Sequence, residues 1–184
     1  MKDNLYFIAI LSPDDVSAEI TAFKQDIAEN FNSSKSLKSM PHITLVPPFK
    51  LSAQQHEELN RWFLNTPVSV SPFTINLNGF GSFNNSNNPV IYVKPEEVGE
   101  LHILQKELVN SFKINYPEIK AAQSFNPHMT IAYRDLSREN YEKAWPLYKD
   151  KTYKATFKTT EVWLLQHNGK RWVPIISKSL TGTY

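Results

Sequence analysis

The chain has 184 residues, 41% hydrophobic and 21% charged, and twenty Lys and Arg against eighteen Asp and Glu give a net charge of +2. That balance excludes a disordered chain, is long enough to bury roughly 70% of the unfolded surface, and permits a phosphate-bearing ligand without demanding a long polyanion. Cys is absent, which excludes disulfide frameworks, thiolate metal sites and cysteine nucleophiles and points to a reducing cytoplasm.

Met1-Lys2-Asp3-Asn4 runs straight into an apolar segment with no small-residue cleavage site, against a secretory leader. No apolar run reaches the roughly 18 residues of a membrane span. Leu5-Tyr6-Phe7-Ile8-Ala9-Ile10-Leu11 reads as a strand buried on both faces. Ser12-Pro13-Asp14-Asp15 reads as a hydroxyl cap, a first-turn Pro and two acids at the positive end of a helix dipole. Val16, Ile20, Phe23 and Ile27 then form one helical stripe. Met40 to Phe49 reads as a strand entered at Pro41 and ended by Pro47-Pro48. Ser52 and Gln55 have the form of a capping box before a helix carrying Leu59, Trp62 and Phe63.

Phe73–Asn78 and Pro89–Lys94 read as a hairpin pair around a polar loop from Gly79 to Asn88. Leu101, Leu104, Leu108 and Phe112 mark a third helix, and Asn126 to Tyr133 another strand. A fourth helix spans Ser137 to Tyr148, capped by Ser137. Tyr153–Gln166 and Arg171–Ser179 form a last hairpin around Asn168-Gly169. Lys149, Lys151, Lys154 and Lys158 read as a solvated strand edge or an RNA-backbone stripe.

The strands repeat. Pro41-His42-Ile43-Thr44-Leu45 aligns with Pro127-His128-Met129-Thr130-Ile131, 86 residues later. Five His and eleven Thr in 184 residues give about 0.3 His-x-Thr triplets by chance; two, each after Pro and each in an apolar strand, indicate an internal duplication. The chain then reads as one domain, residues 1–184, made of two pseudo-symmetric lobes. Residues i and i+2 share a strand face, so each copy presents an imidazole beside a hydroxyl, with apolar residues behind.

Two such pairs in one cleft suit acid–base work on a phosphodiester. Imidazole titrates nearest neutrality, so one ring can accept a proton while the other gives one. The hydroxyls can donate to phosphate oxygens as negative charge builds. No ligand spacing for zinc, no Gly-x-Ser-x-Gly and no Gly-rich phosphate loop is present. His56, His102 and His167 read as surface or structural histidines.

The doubled His-x-Thr motif resembles the two-histidine (2H) phosphoesterase superfamily, with its 2′–5′ RNA ligase-like (LigT-like) and cyclic phosphodiesterase members. The resemblance extends over nearly the whole chain. It implies an α+β, bilobal, duplicated fold in which two antiparallel sheets line a central cleft with helices outside. It also implies metal-independent, cofactor-free hydrolysis of 2′,3′-cyclic phosphate nucleotides or RNA-end phosphodiesters, with 2′–5′ joining in some members; a non-catalytic RNA- or nucleotide-binding protein using the same cleft is the alternative. By motif position His42 matches the proton donor, His128 the acceptor, and Thr44 and Thr130 the phosphate-binding hydroxyls. The implied partner is a nucleotide or RNA end, with no membrane and no metal, acting in the cytoplasm as an assumed monomer. Many members carry Arg five residues after the second His; here that place holds Tyr133, and Arg134 follows. On a regular strand the shift turns the guanidinium to the other face, so a bulge must restore it or Arg134 is solvent-exposed. Phe49 and Tyr133, just beyond the motifs, could stack on a base or simply pack.

Overall fold

In the computed structural model, which describes residues 3–120 and 124–182, two four-stranded antiparallel sheets are flanked by four helices. Met1 and Lys2, part of the leader reading, lie outside the described residues. The strands are β1 (Asp3–Leu11), β2 (His42–Ser52), β3 (Phe73–Phe83), β4 (Val90–Pro95), β5 (Met129–Ala132), β6 (Lys154–Thr159), β7 (Glu161–His167) and β8 (Trp172–Ser179). The helices are α1 (Asp14–Phe31), α2 (His56–Asn65), α3 (Gly99–Asn115) and α4 (Arg138–Lys149). One sheet runs β2-β1-β7-β8, the other β5-β4-β3-β6. This is the α+β, two-sheet architecture that the family resemblance implies. Among the described residues no helix is long and apolar enough to cross a membrane.

Each motif strand is the edge of its own sheet, and the two edges, β2 and β5, come into contact. That meeting of edges positions the site. The helices pack outside, α1 against β5 and α4, α3 against β2, and α2 against β8. One apolar cluster draws on both sheets, including Ile8, Ile43 and Leu164 from the first and Ile75, Val93 and Ile131 from the second. β1 is buried on both faces, as its unbroken apolar run requires. Tyr6, Ile8 and Ile10 enter that cluster, while Phe7 and Ala9 join a smaller one with Leu165.

Several local expectations are corrected. Ser12 does not cap α1. Pro13 takes the cap position with no side-chain hydrogen bond, while Ser12 Oγ pairs with Ser17 Oγ at 2.8 Å. β2 does not end at Pro47-Pro48. Tyr6 pairs with Phe49 and Ile8 with Val46, so three steps on β2 oppose two on β1. The prolines sit in this bulge of an edge strand, where their missing N–H breaks no ladder. β3 likewise continues through the expected loop to Phe83, with a bulge between Leu77 and Phe80 where Gly79 takes φ 68°. Gly81 makes room for the Tyr92 ring, since a Cβ there would lie 2.5 Å from it.

The run Tyr153–Gln166 is two strands, β6 beside β3 and β7 beside β1. Phe157 and Thr159 are buried, then Val162 and Leu164. The period-2 pattern slips by one residue at Thr160, and there the chain changes sheets. Lys154 and Lys158 are exposed on β6, the free edge of the second sheet. The Ser137 cap forms as expected, its Oγ accepting from Asn140 N at 3.1 Å. Leu101, Leu104, Leu108 and Phe112 are fully buried on α3.

Candidate active site

His42 and Thr44 on β2, and His128 and Thr130 at β5, line a single cavity of about 220 Å³ between the two sheet edges. Ile43, Leu45, Met129 and Ile131 point the other way into the core, which is the strand alternation that sets the motif faces. All four cavity-facing motif residues are half-buried. Among the described residues neither Thr44 nor Thr130 has a side-chain hydrogen bond, so both hydroxyls are available to a ligand.

The two rings are held alike. Nδ1 of His42 lies 2.7 Å from the carbonyl oxygen of Met40, and Nδ1 of His128 lies 2.7 Å from that of Asn126. A carbonyl can only accept, so each Nδ1 carries the proton and donates it. Nε2 is thereby left as the nitrogen able to accept a proton on each ring. The intervening prolines, 41 and 127, have restricted φ and help aim the carbonyl back at the ring. Aromatic rings flank both imidazoles. Phe7 sits 4.9 Å from His42, and Phe83 and Tyr92 sit 5.1 and 5.5 Å from His128.

Burial lowers the pKa of both imidazoles. For His42 the desolvation is opposed by the Met40 carbonyl and reinforced by the nearby charges of Lys24 and His128, and its pKa falls to about 4. For His128 burial also dominates, opposed by the Asn126 carbonyl. Both rings therefore favour the neutral form at pH 7.

Arg134 lines the same cavity. The chain leaves β5 after Ala132, Arg134 adopts φ 59°, and Asp135 N donates to the Tyr133 carbonyl at 2.7 Å. This tight turn, not a regular strand, brings Arg134 to the cavity, with its guanidinium 5.2 Å from the centre of the Tyr133 ring. A left-handed Arg costs roughly 1 kcal/mol or more. Asp135 offsets it, its carboxylate accepting from Ser33 Oγ at 2.8 Å and from Ser34 N and Lys35 N at 3.0 Å each. Those bonds tie the turn to the segment 33–39, whose Ser36 and Ser39 also line the cavity. Tyr133 lines it as well.

Phe49 is not brought to the cavity. The bulge at Pro47-Pro48 leaves Pro48 on the cavity wall and turns Phe49 inward, where it is 4% exposed and packs on Phe112 at 4.6 Å. Phe49→Ala should cost about 3–5 kcal/mol of stability, read as a lowered Tm. It should leave KM of the folded fraction unchanged, whereas a stacking residue would raise it. His56 bridges Tyr6 and Asn60, His102 pairs with Glu97, and His167 accepts from Gly169 N, all outside the cavity.

Trp172 and Phe7 complete the cavity wall, edge to face at 4.6 Å. The only sequence signal for Trp172 is its place beside the Asn-Gly turn. Lys24 carries a clearer one, because it interrupts the apolar stripe between Ile20 and Ile27. It is 1% exposed, and its ammonium donates to the carbonyls of Ser36 at 3.1 Å and Ser39 at 2.8 Å. Burial lowers its pKa to about 8. A second cavity of about 380 Å³ shares Thr44 and His128 with the first and is otherwise walled by uncharged side chains, including Phe83, Phe125, Gln105 and Asn126. Among the described residues no group of three or more His, Cys, Asp or Glu could hold a metal ion.

Comparison with known proteins gives the family and the fold. The family described as the 2'-5' RNA ligase superfamily matches residues 12–171. A Bacillus mycoides protein named "Putative phosphoesterase" is 38% identical over 97 residues, 53% of either chain. A Bacillus cytotoxicus protein of the same name is 36% identical over 94 residues, 51% of this chain and 52% of that one. The chain thus spans about half the length of the curated relatives it matches. Escherichia coli LigT complexed with 3′-AMP shares the fold with a TM-score of 0.70 at 18% identity, covering 98% of this chain and 99% of that one. TT0787 of Thermus thermophilus does so with a TM-score of 0.68 at 17% identity, covering 98% and 100%.

Proposed function

The chain belongs to the 2′–5′ RNA ligase superfamily, and from that we propose that it is a metal-independent phosphodiesterase acting on 2′,3′-cyclic phosphate nucleotides or RNA-end phosphodiesters. The observation that carries the reading is the convergence of both His-x-Thr pairs on one cavity. One neutral imidazole takes a proton from water through Nε2 as the water oxygen bonds to phosphorus. The other, protonated, gives its proton to the departing ribose oxygen as the P–O bond breaks, leaving a phosphomonoester and a free hydroxyl. Thr44 and Thr130 donate to the non-bridging oxygens, and Arg134 adds a charged donor. Tyr133 and Trp172 offer ring faces for a base. The second cavity, meeting the first at Thr44 and His128, supports room for a substituent on each side of the phosphorus, as 2′–5′ cleavage or joining requires. The 3′-AMP bound by LigT supports a nucleotide as the ligand class.

By motif position His42 is the donor and His128 the acceptor. The charges around the rings favour a second reading with these roles exchanged. Burial lowers His42 to about 4, and the Lys24 charge adds to that, so a single proton entering the pair rests more readily on His128.

The test is turnover of a panel of 2′,3′-cyclic nucleotides and 2′–5′-linked dinucleotides in EDTA. Hydrolysis undiminished by the chelator is the expected result. Retention of the nucleotide without turnover would transfer the cavity to a binding protein, and loss of turnover on chelation would overturn the metal-independent mechanism.

A further inference from the structure

We propose that Lys24 is the buried counter-charge of the phosphate site, holding the segment 33–39 against the cavity and setting a fixed positive charge behind the substrate's phosphate. The inference rests on the phosphodiester reading of the cavity. On α1 the buried residues are Val16, Ile20, Lys24, Ile27 and Phe31. Four of these are apolar packing positions, and an aliphatic side chain at 24 would continue the stripe. An ammonium there is desolvated, and burying a charge is costly unless it is paired. Among the described residues no carboxylate forms an ion pair with it. Its partners are two neutral carbonyls, those of Ser36 and Ser39, whose dipoles solvate the charge without cancelling it.

Both carbonyls belong to residues that line the cavity with His42 and His128. The same segment, among the described residues, holds an unmet polar group, the Ser36 hydroxyl, buried without a partner. It is tied from its other side by Asp135, which spends its carboxylate on Ser33, Ser34 and Lys35 and does not reach Lys24. An uncompensated cation lies behind a wall that faces an anion-binding cavity. The arriving phosphate is the counter-ion the protein does not supply. At low effective dielectric such a charge acts through several ångströms without direct contact, so Lys24 is a positioning residue and not a catalytic one.

The experiment compares Lys24→Met with the parent by titrating inorganic phosphate and by following the His42 Cε1 proton by NMR over pH. Methionine keeps the four-atom apolar stem and removes the terminal ammonium with its charge. The expected result is a phosphate Kd raised about tenfold, together with a His42 titration moved to higher pH. The other charged groups at the cavity, His128 and Arg134, are unchanged in the variant, so the shift reports Lys24. A residue that merely staples the segment would weaken phosphate without moving His42 upward. That result overturns the proposal, as does an unchanged phosphate Kd. If Lys24→Met does not fold, the ¹⁵Nζ resonance of Lys24 in the parent decides: it shifts on saturation with phosphate, or the proposal fails. Neither readout uses turnover, so a chain that hydrolyses no cyclic phosphate would overturn the phosphodiesterase reading and still leave this result standing.

Discussion

Removing either imidazole, in His42→Ala or His128→Ala, should lower kcat on a 2′,3′-cyclic nucleotide by about 10²–10⁴, the scale of one general acid or base. The double variant should lose little more than the worse single one, because groups that act as a unit are not additive. The fold should survive. Both rings are half-buried at the cavity and make one hydrogen bond each, to the carbonyls of Met40 and Asn126, while the residues behind them carry the packing. The two roles separate with the leaving group. On an ester with an activated phenolate leaving group, the variant lacking the proton donor should recover about 10²-fold or more relative to the parent, since such a group departs without protonation. The variant lacking the acceptor should not recover. Recovery in His42→Ala keeps the family assignment, whereas recovery in His128→Ala establishes the exchanged one. Full activity of either variant on the cyclic nucleotide would remove that histidine from the mechanism.

The second large effect is in pH. In the proposed mechanism the active form of the free protein carries one proton between two rings. Burial favours the neutral form of both, pulling His42 to about 4 and His128 below its ordinary value. At pH 7 the singly protonated form is therefore the minor one. It grows as pH falls below about 6.5, the ordinary imidazole value, and is lost again once the second ring takes a proton. The profile of kcat/KM is expected to be a bell with its maximum on the acid side of 6.5, and its two limbs belong to the coupled pair and not to single residues. In the complex the phosphate's negative charge favours the protonated ring, so the alkaline limb of kcat should lie at higher pH than that of kcat/KM. A kcat/KM maximum above pH 7, or a profile without two limbs, would contradict this charge environment. Stability follows the same sign. A histidine that resists protonation in the fold takes up more protons when unfolded, so the protein should lose stability as pH falls from about 6.5 toward 4.

The motif faces are legible in the chain alone. His42 and Thr44 against Ile43 and Leu45, and His128 and Thr130 against Met129 and Ile131, follow from a period of two that no tertiary contact alters. The buried faces of α1 and α3 follow from their helical stripes, and the cap of α4 from Ser137. Features that depend on which strand lies at an edge arise from long-range packing. Pro47-Pro48 read as a strand end, yet β2 passes through them because an edge strand accommodates a bulge, and the same bulge withdrew Phe49 into the core. Arg134 sits one residue out of register for a regular strand; a left-handed turn, tied by Asp135 to a segment a hundred residues earlier in the chain, places it in the cavity. The single run Tyr153–Gln166 divides between two sheets at Thr160. Lys24 is buried on α1 behind the cavity, and its partners are carbonyls supplied by residues 36 and 39. Strand and helix periodicity are local properties of the chain, whereas edges, bulges and buried charges are settled by what packs against them. That is why the four motif residues could be named in advance and the wall around them could not.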